Sequence, residues 1–139
     1  MRQINTALCS FGLSGLVFHA PFLIVNPGFK VTKVLERSKE NSKAKLPEAQ
    51  IVKSYDEILS DENIELVVVN TPNELHFEMA KQALLCNKHV LLEKPFTNEV
   101  EEADELIQLA KERNLILTAY QIRRFDGDFK TIQKFIAEN

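Results

Sequence analysis

With 139 residues, of which 45% are hydrophobic and 27% charged, the chain has the size and composition of one globular domain with a buried core. Its formal net charge of −3 gives no electrostatic footprint for a nucleic-acid partner. No apolar run approaches the ~20 residues that cross a bilayer, and no charged-then-apolar leader precedes the first strand, so we expect a cytoplasmic protein without a membrane partner.

Short apolar runs alternate with stretches of helical periodicity along the chain. Strands are predicted over residues 4–11, 29–36, 51–52, 65–70, 89–92 and 115–119. The apolar run at 65–70 is typical of a strand that is buried on both faces of a parallel sheet. The alternation therefore predicts an α/β fold, in which a doubly wound parallel sheet lies between helices.

Helical periodicity predicts helices over residues 14–25, 55–60, 73–85, 98–113 and 128–137. The first should bend or end near Pro21, which has no N–H for the helical ladder. Ser54 and Asn73 stand at the start of two of these helices, where we expect them to act as caps. Residues 37–50 form either a loop or a short, frayed helix.

The two cysteines, Cys9 and Cys86, form no C-x-x-C pair. This spacing suggests neither a metal site nor a disulfide framework. Cys9 falls in the first predicted strand and Cys86 late in a helical stretch, so we expect two buried free thiols in a reducing compartment.

A turn of small residues connects the first strand to the first helix. Ser10, Gly12 and Gly15 occupy the positions of a G-x-G-x-x-G dinucleotide-binding turn. Gly12 would let a pyrophosphate approach the backbone N–H groups, and Gly15 would let the helix pack closely on the strand. Ser10 stands in place of the first glycine and is small enough for the tight turn.

Ligands of an open parallel sheet bind beyond the carboxyl ends of its strands. The residues that follow the main predicted strands are therefore the candidates for function, and they fall in five segments: 10–15, 36–38, 70–73, 93–95 and 120–124. Topology alone selects these segments, and they contain acids, amides, a lysine and three arginines.

The second segment suggests how an adenosine ribose would be held. Glu36 lies about 20 residues beyond the glycine turn, where a carboxylate usually accepts the ribose hydroxyls. Arg37 and Ser38 could instead meet a 2′-phosphate, which Glu36 would repel. The choice between NAD and NADP therefore stays open, as does the alternative that Glu36 is an exposed loop acid.

The third segment, 70–73, either lines the ribose and nicotinamide of a cofactor or is a plain strand-to-helix turn. Pro72 stiffens it. His76 lies in the first turn of the following helix, and no second histidine stands at i+4. We therefore expect His76 to contact the cofactor or to pack against a loop, and not to bind a metal.

The fourth segment carries the most specific signal. Lys94 stands at the carboxyl end of a strand between Glu93 and Pro95, and the proline restricts its backbone to an extended conformation. An ammonium there can hold a substrate hydroxyl or carbonyl oxygen and shift its acidity. Glu93 could pair with Lys94 or accept from the cofactor ribose. The alternative is an ordinary surface Glu–Lys pair.

Five segments together resemble the Gfo/Idh/MocA family of NAD(P)-dependent oxidoreductases. They read SFGLSGLVFHAPFL, VLERS, VVVNTPNELHFEMAKQAL, HVLLEKPFT and YQIRRFDGDF, and the resemblance runs from about Ile4 to Phe129. It implies a Rossmann-type NAD(P)-binding domain in which Lys94 is the catalytic lysine. Together with the five segments that follow the strands, the resemblance implies a set of cofactor contacts. They are Ser10, Phe11, Gly12, Leu13, Ser14, Gly15, Glu36, Arg37, Ser38, Asn70, Thr71, Pro72, Asn73, His76, Glu93, Lys94, Gln121 and Arg124.

The resemblance also implies a domain division and a reaction. Residues 1–125 would form the dinucleotide-binding domain, and residues 126–139 would begin the helix that leads to an α+β domain absent from this chain. The intact enzyme would pass hydride between nicotinamide and a sugar, polyol or related substrate, and would form a homo-oligomer. We expect the chain alone to be inactive, because its three histidines lie in the wrong segments to supply the family's proton-transfer histidine.

Three other classes of function fit parts of the sequence. A non-catalytic nucleotide-sensing module needs the glycine turn but not Lys94. An S-adenosylmethionine methyltransferase also uses a small-residue turn and an acid after the second strand, but it has no use for the Glu93–Pro95 segment. A scaffold fragment that pairs with another subunit would expose apolar surface and associate.

Overall fold

A computed structural model describes residues 2–138 of the chain. Its centre is a sheet of six parallel strands in the order β3-β2-β1-β4-β5-β6. The strands are β1 (Ile4–Leu8), β2 (Phe29–Leu35), β3 (Gln50–Val52), β4 (Leu66–Val69), β5 (His89–Leu92) and β6 (Leu117–Ala119). The order reverses between β1 and β4, which is the switch point of a doubly wound sheet. The predicted fold class is confirmed.

Within the described residues, four α-helices lie between strands along the chain, and a fifth follows β6. They are α1 (Ala20–Val25), α2 (Asp56–Leu59), α3 (His76–Leu85), α4 (Val100–Glu112) and α5 (Gly127–Glu138). A π-helical segment over Ser14–His19 precedes α1, and 3₁₀ turns cover Asn41–Ala44, Asn73–Leu75 and Ile122–Phe125. The stretch after β2 is therefore a loop with one short 3₁₀ turn.

The core lies on both faces of the sheet. On β4, Val67 and Val69 pack with α3 and α4, whereas Val68 packs on the opposite face with Ala20 of α1. All three valines are fully buried. This alternation confirms the prediction of a strand covered on both sides.

The first helical segment changes its hydrogen bonding before Pro21, as the missing N–H of proline predicts. The N–H of Ala20 donates to the carbonyl oxygen of Gly15, which is five residues back. The chain then continues as an α-helix with proline in its first turn. Pro21 has no N–H to donate. The wider π-helical turn therefore lies where the backbone hydrogen bonds change from the π-helical to the α-helical pattern.

Two capping predictions were wrong. No side chain caps the N-terminus of α2; instead the Glu57 carboxylate accepts hydrogen bonds from the N–H of Lys53 and from the N–H and hydroxyl of Ser54. Asn73 opens a 3₁₀ turn, and its side chain caps neither that turn nor α3.

The two thiols differ in exposure. Cys9 is buried beside β4, as expected, but Cys86 is exposed. Cys86 lies at the C-terminal cap of α3, where the chain turns away from the core. The prediction of two buried thiols was therefore wrong for Cys86.

The last helix stands apart from the core. None of the residues of α5 is buried, and it contacts the 3₁₀ turn that precedes it. Phe129, Ile132 and Ile136 are all exposed on it. Within residues 2–138, no helix is both long and apolar enough to cross a bilayer.

Gly15 allows the first helix to approach the end of β1. A Cβ atom at this position would lie 2.5 Å from the backbone oxygen of Ser10 and 3.2 Å from the Asn70 amide nitrogen. We therefore expect Gly15→Ala to lower the free energy of unfolding by about 1–3 kcal/mol, because backbone atoms cannot move aside cheaply. Urea titration would measure this loss.

Gly127→Ala is the matched control, because a Cβ there meets no atom within 4 Å. It should unfold at nearly the wild-type urea concentration. Equal losses from the two substitutions would contradict the packing role of Gly15.

Candidate functional site

Two cavities lie along the carboxyl edge of the sheet. The first has a volume of about 420 Å³ and is lined by the glycine turn, the loop after β2, the segment after β3 and residues 71–72. The second has a volume of about 320 Å³ and is lined by Phe18, Glu93, Lys94, Tyr120, Gln121, Ile122 and Arg123. The five segments selected by topology therefore lie together along the carboxyl edge of the sheet.

Ser10 and Asn70 tie together the ends of β1 and β4. The Ser10 N–H donates to the Asn70 side-chain oxygen at 2.9 Å, and the Asn70 amide donates to the Ser10 carbonyl at 3.1 Å. The Ser10 hydroxyl donates to the Asn70 carbonyl at 2.7 Å. Ser10 is therefore more than a small substitute for glycine, and Asn70 uses both ends of its amide inside the protein.

The glycine turn offers unpaired backbone donors. The N–H groups of Phe11, Gly12 and Leu13 find no acceptor in the described part of the chain. No atom lies within 4 Å of a Cβ built on Gly12, and Gly12 lines the first cavity. The arrangement fits an anionic group such as a pyrophosphate, which needs free N–H donors and no side chain in its way.

Glu36 is buried and turned into its own loop. Its carboxylate accepts hydrogen bonds from the N–H of Asn41 at 2.9 Å, the N–H of Ser42 at 3.0 Å and the Ser42 hydroxyl. The sequence interpretation has this carboxylate accepting ribose hydroxyls. In the structure it orders the 3₁₀ turn after β2, whose first N–H groups need an acceptor. A contact between Glu36 and a ribose stays a prediction.

Arg37 and Ser38 follow Glu36 and are exposed on the rim of the first cavity. The Arg37 guanidinium makes no ion pair or hydrogen bond with any residue between 2 and 138. These two side chains are therefore available to a ligand.

His76 connects the loop after β4 to the loop after β5. Its ring nitrogens lie 2.7 Å from the carbonyl oxygen of Pro95 and 2.9 Å from that of Thr71, and the residue is buried. His76 lies behind the loops and lines neither cavity. A direct cofactor contact by His76 stays a prediction.

Glu93 is held from three sides. Its carboxylate accepts from the Ser14 hydroxyl at 2.6 Å and from the backbone N–H of Lys94 at 3.1 Å. The His19 Nε2 atom lies 3.0 Å from the same carboxylate, and the Tyr120 ring packs on the imidazole with 4.3 Å between centroids. The π-helical segment thus brings His19 and Ser14 together on Glu93.

The charges of this buried pair follow from burial and hydrogen bonding. Burial lowers the pKa of His19, and the neighbouring Glu93 only partly offsets this. Burial alone would raise the pKa of Glu93, but hydrogen bonds from Ser14, Lys94 and His19 hold that pKa below its usual value. At neutral pH, a neutral imidazole therefore donates its Nε2–H to an ionised carboxylate.

Lys94 lines the second cavity and is exposed. Its ammonium has no carboxylate partner among residues 2–138, because Glu93 is already engaged with Ser14 and His19. The Lys94–Pro95 peptide bond is cis. Of the two roles left open for Glu93, an ion pair with Lys94 does not form within residues 2–138, and a contact with a cofactor ribose stays a prediction.

The cavities contain only part of the predicted site. The predicted residues that line them are Ser10, Phe11, Gly12, Glu36, Arg37, Ser38, Thr71, Pro72, Glu93, Lys94 and Gln121. Those that line neither cavity are Leu13, Ser14, Gly15, Asn70, Asn73, His76 and Arg124. In segment 120–124, Arg123 lines the second cavity in place of the predicted Arg124. The Arg123 guanidinium also pairs with the Asp126 carboxylate at 2.8 Å.

The sequence interpretation missed several lining residues. The segment after the short strand β3 is not among the five selected, although the same topological rule applies to it. It contributes Lys53, Ser54 and Tyr55 to the first cavity. Tyr120 lies in a selected segment and donates to the Phe18 carbonyl. No pattern in the sequence indicates the pairing of His19 with Glu93.

Residues 4–121 match the family model of the Gfo/Idh/MocA oxidoreductases, described as having an NAD-binding Rossmann fold. The chain belongs to this family. It is 40% identical over 135 residues to the scyllo-inositol 2-dehydrogenase (NADP(+)) IolW of Bacillus subtilis, covering 97% of this chain and 38% of that protein.

Solved structures of Gfo/Idh/MocA proteins agree with this assignment. An oxidoreductase from Bacteroides fragilis superposes with a TM-score of 0.93 and 48% identity, over 99% of this chain and 43% of that one. KijD10, a 3-ketoreductase from Actinomadura kijaniata solved with NADP and TDP-benzene, gives a TM-score of 0.90 and 25% identity over the same shares. The chain thus spans about two fifths of the length of the relatives it matches.

No group of three or more potential metal ligands from His, Cys, Asp and Glu comes together within the described residues.

His19 should make stability depend on pH. Its pKa is lowered from 6.5 on folding, so the unfolded chain binds the proton more readily, and stability is lost as pH falls from about 7 through the ordinary histidine value. In His19→Gln, the side chain can still donate to Glu93 but does not titrate. Its melting temperature should fall less than that of the wild type between about pH 7 and pH 5.

Melting curves recorded in steps across that range would measure the difference. An identical pH dependence in the two proteins would contradict the buried, neutral state of His19.

Proposed function

We propose that this chain is the dinucleotide-binding half of an enzyme that transfers hydride between nicotinamide and a hydroxyl or carbonyl carbon of a sugar, a polyol or a related compound. The observation that carries the proposal is the free ammonium of Lys94 on the second cavity, at the same sheet edge as the glycine turn. A plain nucleotide-binding module has no need for this lysine.

The cofactor would lie across both cavities. The unpaired N–H groups of Phe11, Gly12 and Leu13 would bind the diphosphate, and the first cavity would hold the adenosine end. Thr71 also lines the first cavity, and its buried hydroxyl has no partner within residues 2–138. The nicotinamide end would then extend toward Glu93 and Lys94.

The bound cofactor supplies or accepts the hydride at its nicotinamide ring. Lys94 would donate a hydrogen bond to the substrate oxygen and stabilise negative charge as it develops there. Glu93 would keep the segment in place, since its carboxylate already holds the backbone N–H of Lys94. The relative IolW acts on scyllo-inositol, which supports a cyclic polyol or sugar as the substrate class.

Among the described residues no histidine lines the second cavity, and the Tyr120 hydroxyl donates to the Phe18 carbonyl while burial raises the pKa of Tyr120. The Glu93 carboxylate also lines this cavity, but it already accepts hydrogen bonds from Ser14, His19 and the N–H of Lys94. We therefore assign proton transfer to a second domain, which would also supply most substrate contacts. The greater length of the relatives and the exposed apolar residues on α5 support such a domain, and the same surface favours a homo-oligomer.

The binding part of the proposal is testable on the 139-residue chain. Titration with NADPH, followed by nicotinamide fluorescence, should give saturable binding. Gly12→Ala should weaken it by at least about tenfold, because the new methyl group lies where the diphosphate approaches. Its melting temperature should stay near that of the wild type, since a Cβ at Gly12 meets no atom within 4 Å.

Gly127→Ala serves again as the control and should bind as the wild type does. Wild-type affinity in Gly12→Ala would contradict the placement of the diphosphate.

The proposed assignment of proton transfer to a second domain predicts that the 139-residue chain alone does not oxidise or reduce substrate. Incubation of the 139 residues with NADP and a panel of inositols and aldoses should leave the nicotinamide absorbance unchanged. Turnover by this chain, lost again in Lys94→Ala, would contradict the need for a proton-transfer residue from a second domain.

A further inference from the structure

An acid and a free cation lie next to each other on the second cavity. Glu93 and Lys94 both line it, yet no ion pair forms between them within residues 2–138. The other described cation on this cavity, the Arg123 guanidinium, pairs with the Asp126 carboxylate at 2.8 Å. Lys94 is therefore the one unpaired cation among the described residues that line the cavity. Because opposite charges attract, other contacts must keep the Glu93 carboxylate from the Lys94 ammonium.

The two oxygens of the Glu93 carboxylate have different partners. Oε1 accepts from the Ser14 hydroxyl at 2.6 Å and lies 3.0 Å from the His19 Nε2 atom, so both of its partners come from the π-helical segment. Oε2 accepts from the backbone N–H of Lys94 at 3.1 Å. Three donors on two oxygens fix the orientation of the carboxylate and leave few of its acceptor positions for an ammonium.

The His19 side chain is itself held in place. It is only 2% exposed, and the Tyr120 ring covers the imidazole with 4.3 Å between centroids. The Tyr120 hydroxyl donates to the carbonyl oxygen of Phe18, which ties that ring to the π-helical segment. Loss of the Glu93 contact would leave a buried Nε2–H group without its acceptor, which is unfavourable. The contact between His19 and Glu93 is therefore the stable arrangement.

We infer that Ser14 and His19 are positioning residues that hold the Glu93 carboxylate away from Lys94, so that the ammonium stays free for a ligand oxygen. Without these donors, a carboxylate that is 8% exposed would keep only the backbone N–H of Lys94 as a partner. A buried charge with so few partners is unstable, and the Lys94 ammonium is the unpaired cation at the same cavity. The inference rests on the proposed function, which uses the free ammonium.

Amine labelling of the chain tests the inference without a nucleotide. An acetylating N-hydroxysuccinimide ester reacts with a neutral amine, and a carboxylate partner favours the charged form of a lysine. In His19→Leu, Lys94 should therefore be acetylated about threefold more slowly than in the wild type, which is the size of effect expected of an exposed ion pair. Peptide mass spectrometry would measure the rate against Lys111 of the same chain, which is exposed on α4 and lines neither cavity.

Two further variants separate the hydrogen bond from packing. His19→Gln is the matched control, because its amide can still donate to Glu93, and Lys94 should be labelled there at nearly the wild-type rate. Glu93→Gln combined with His19→Leu should also restore that rate, since a neutral amide does not favour the ammonium form. Slow labelling that persists in the combined variant would overturn the inference, because the slowing would then not come from the Glu93 charge.

Ser14→Ala keeps the test decisive if His19→Leu does not fold, because it removes a single hydroxyl at a half-buried position. It should slow the labelling of Lys94 in the same direction, by about twofold. An unchanged or faster rate in Ser14→Ala would overturn the inference. That result would leave the proposed function standing, whereas absence of saturable NADPH binding by the wild-type chain would overturn the proposed function itself.

Discussion

The site depends on the three hydrogen bonds that join Ser10 to Asn70. These two residues end the strands on either side of the switch point, where the crossovers diverge to opposite faces and a crevice opens. With its N–H, carbonyl and hydroxyl all engaged, Ser10 fixes the path of the chain into the glycine turn. Gly15 then packs against the same two residues, so the turn, the switch point and the first helix share one contact.

The two acids at the ligand edge serve a common purpose. Glu36 orders the loop after β2, and Glu93 joins the first helical segment to the segment that carries Lys94. The donors around each carboxylate occupy most of its acceptor positions. Both acids therefore shape the edge while Arg37 and Lys94, which have no partners within residues 2–138, face the cavities.

The sequence predicts the sheet well because strand periodicity and the parallel crossover rule are global properties of the chain. It also selects the edge along which the two described cavities lie, since every parallel strand ends there with its carboxyl terminus. The roles of individual side chains are harder to predict. The engagement of Glu36 with Ser42 and of Glu93 with His19 depends on rotamers and loop paths that no spacing encodes. The sequence analysis does not select the segment after β3, because a strand of three residues is too short to show a clear strand periodicity.

The π-helical segment has a consequence for how related chains must vary. Each residue of an α-helix advances by about 100° around its axis. Shortening Ser14–His19 by one residue would restore regular α-helical winding and swing the imidazole away from the Glu93 carboxylate. Insertions and deletions in this segment are thus coupled to the lysine-bearing strand end 75 positions away in sequence, from His19 to Lys94. Homologues that lack the extra residue would need another donor for the acid beside their lysine.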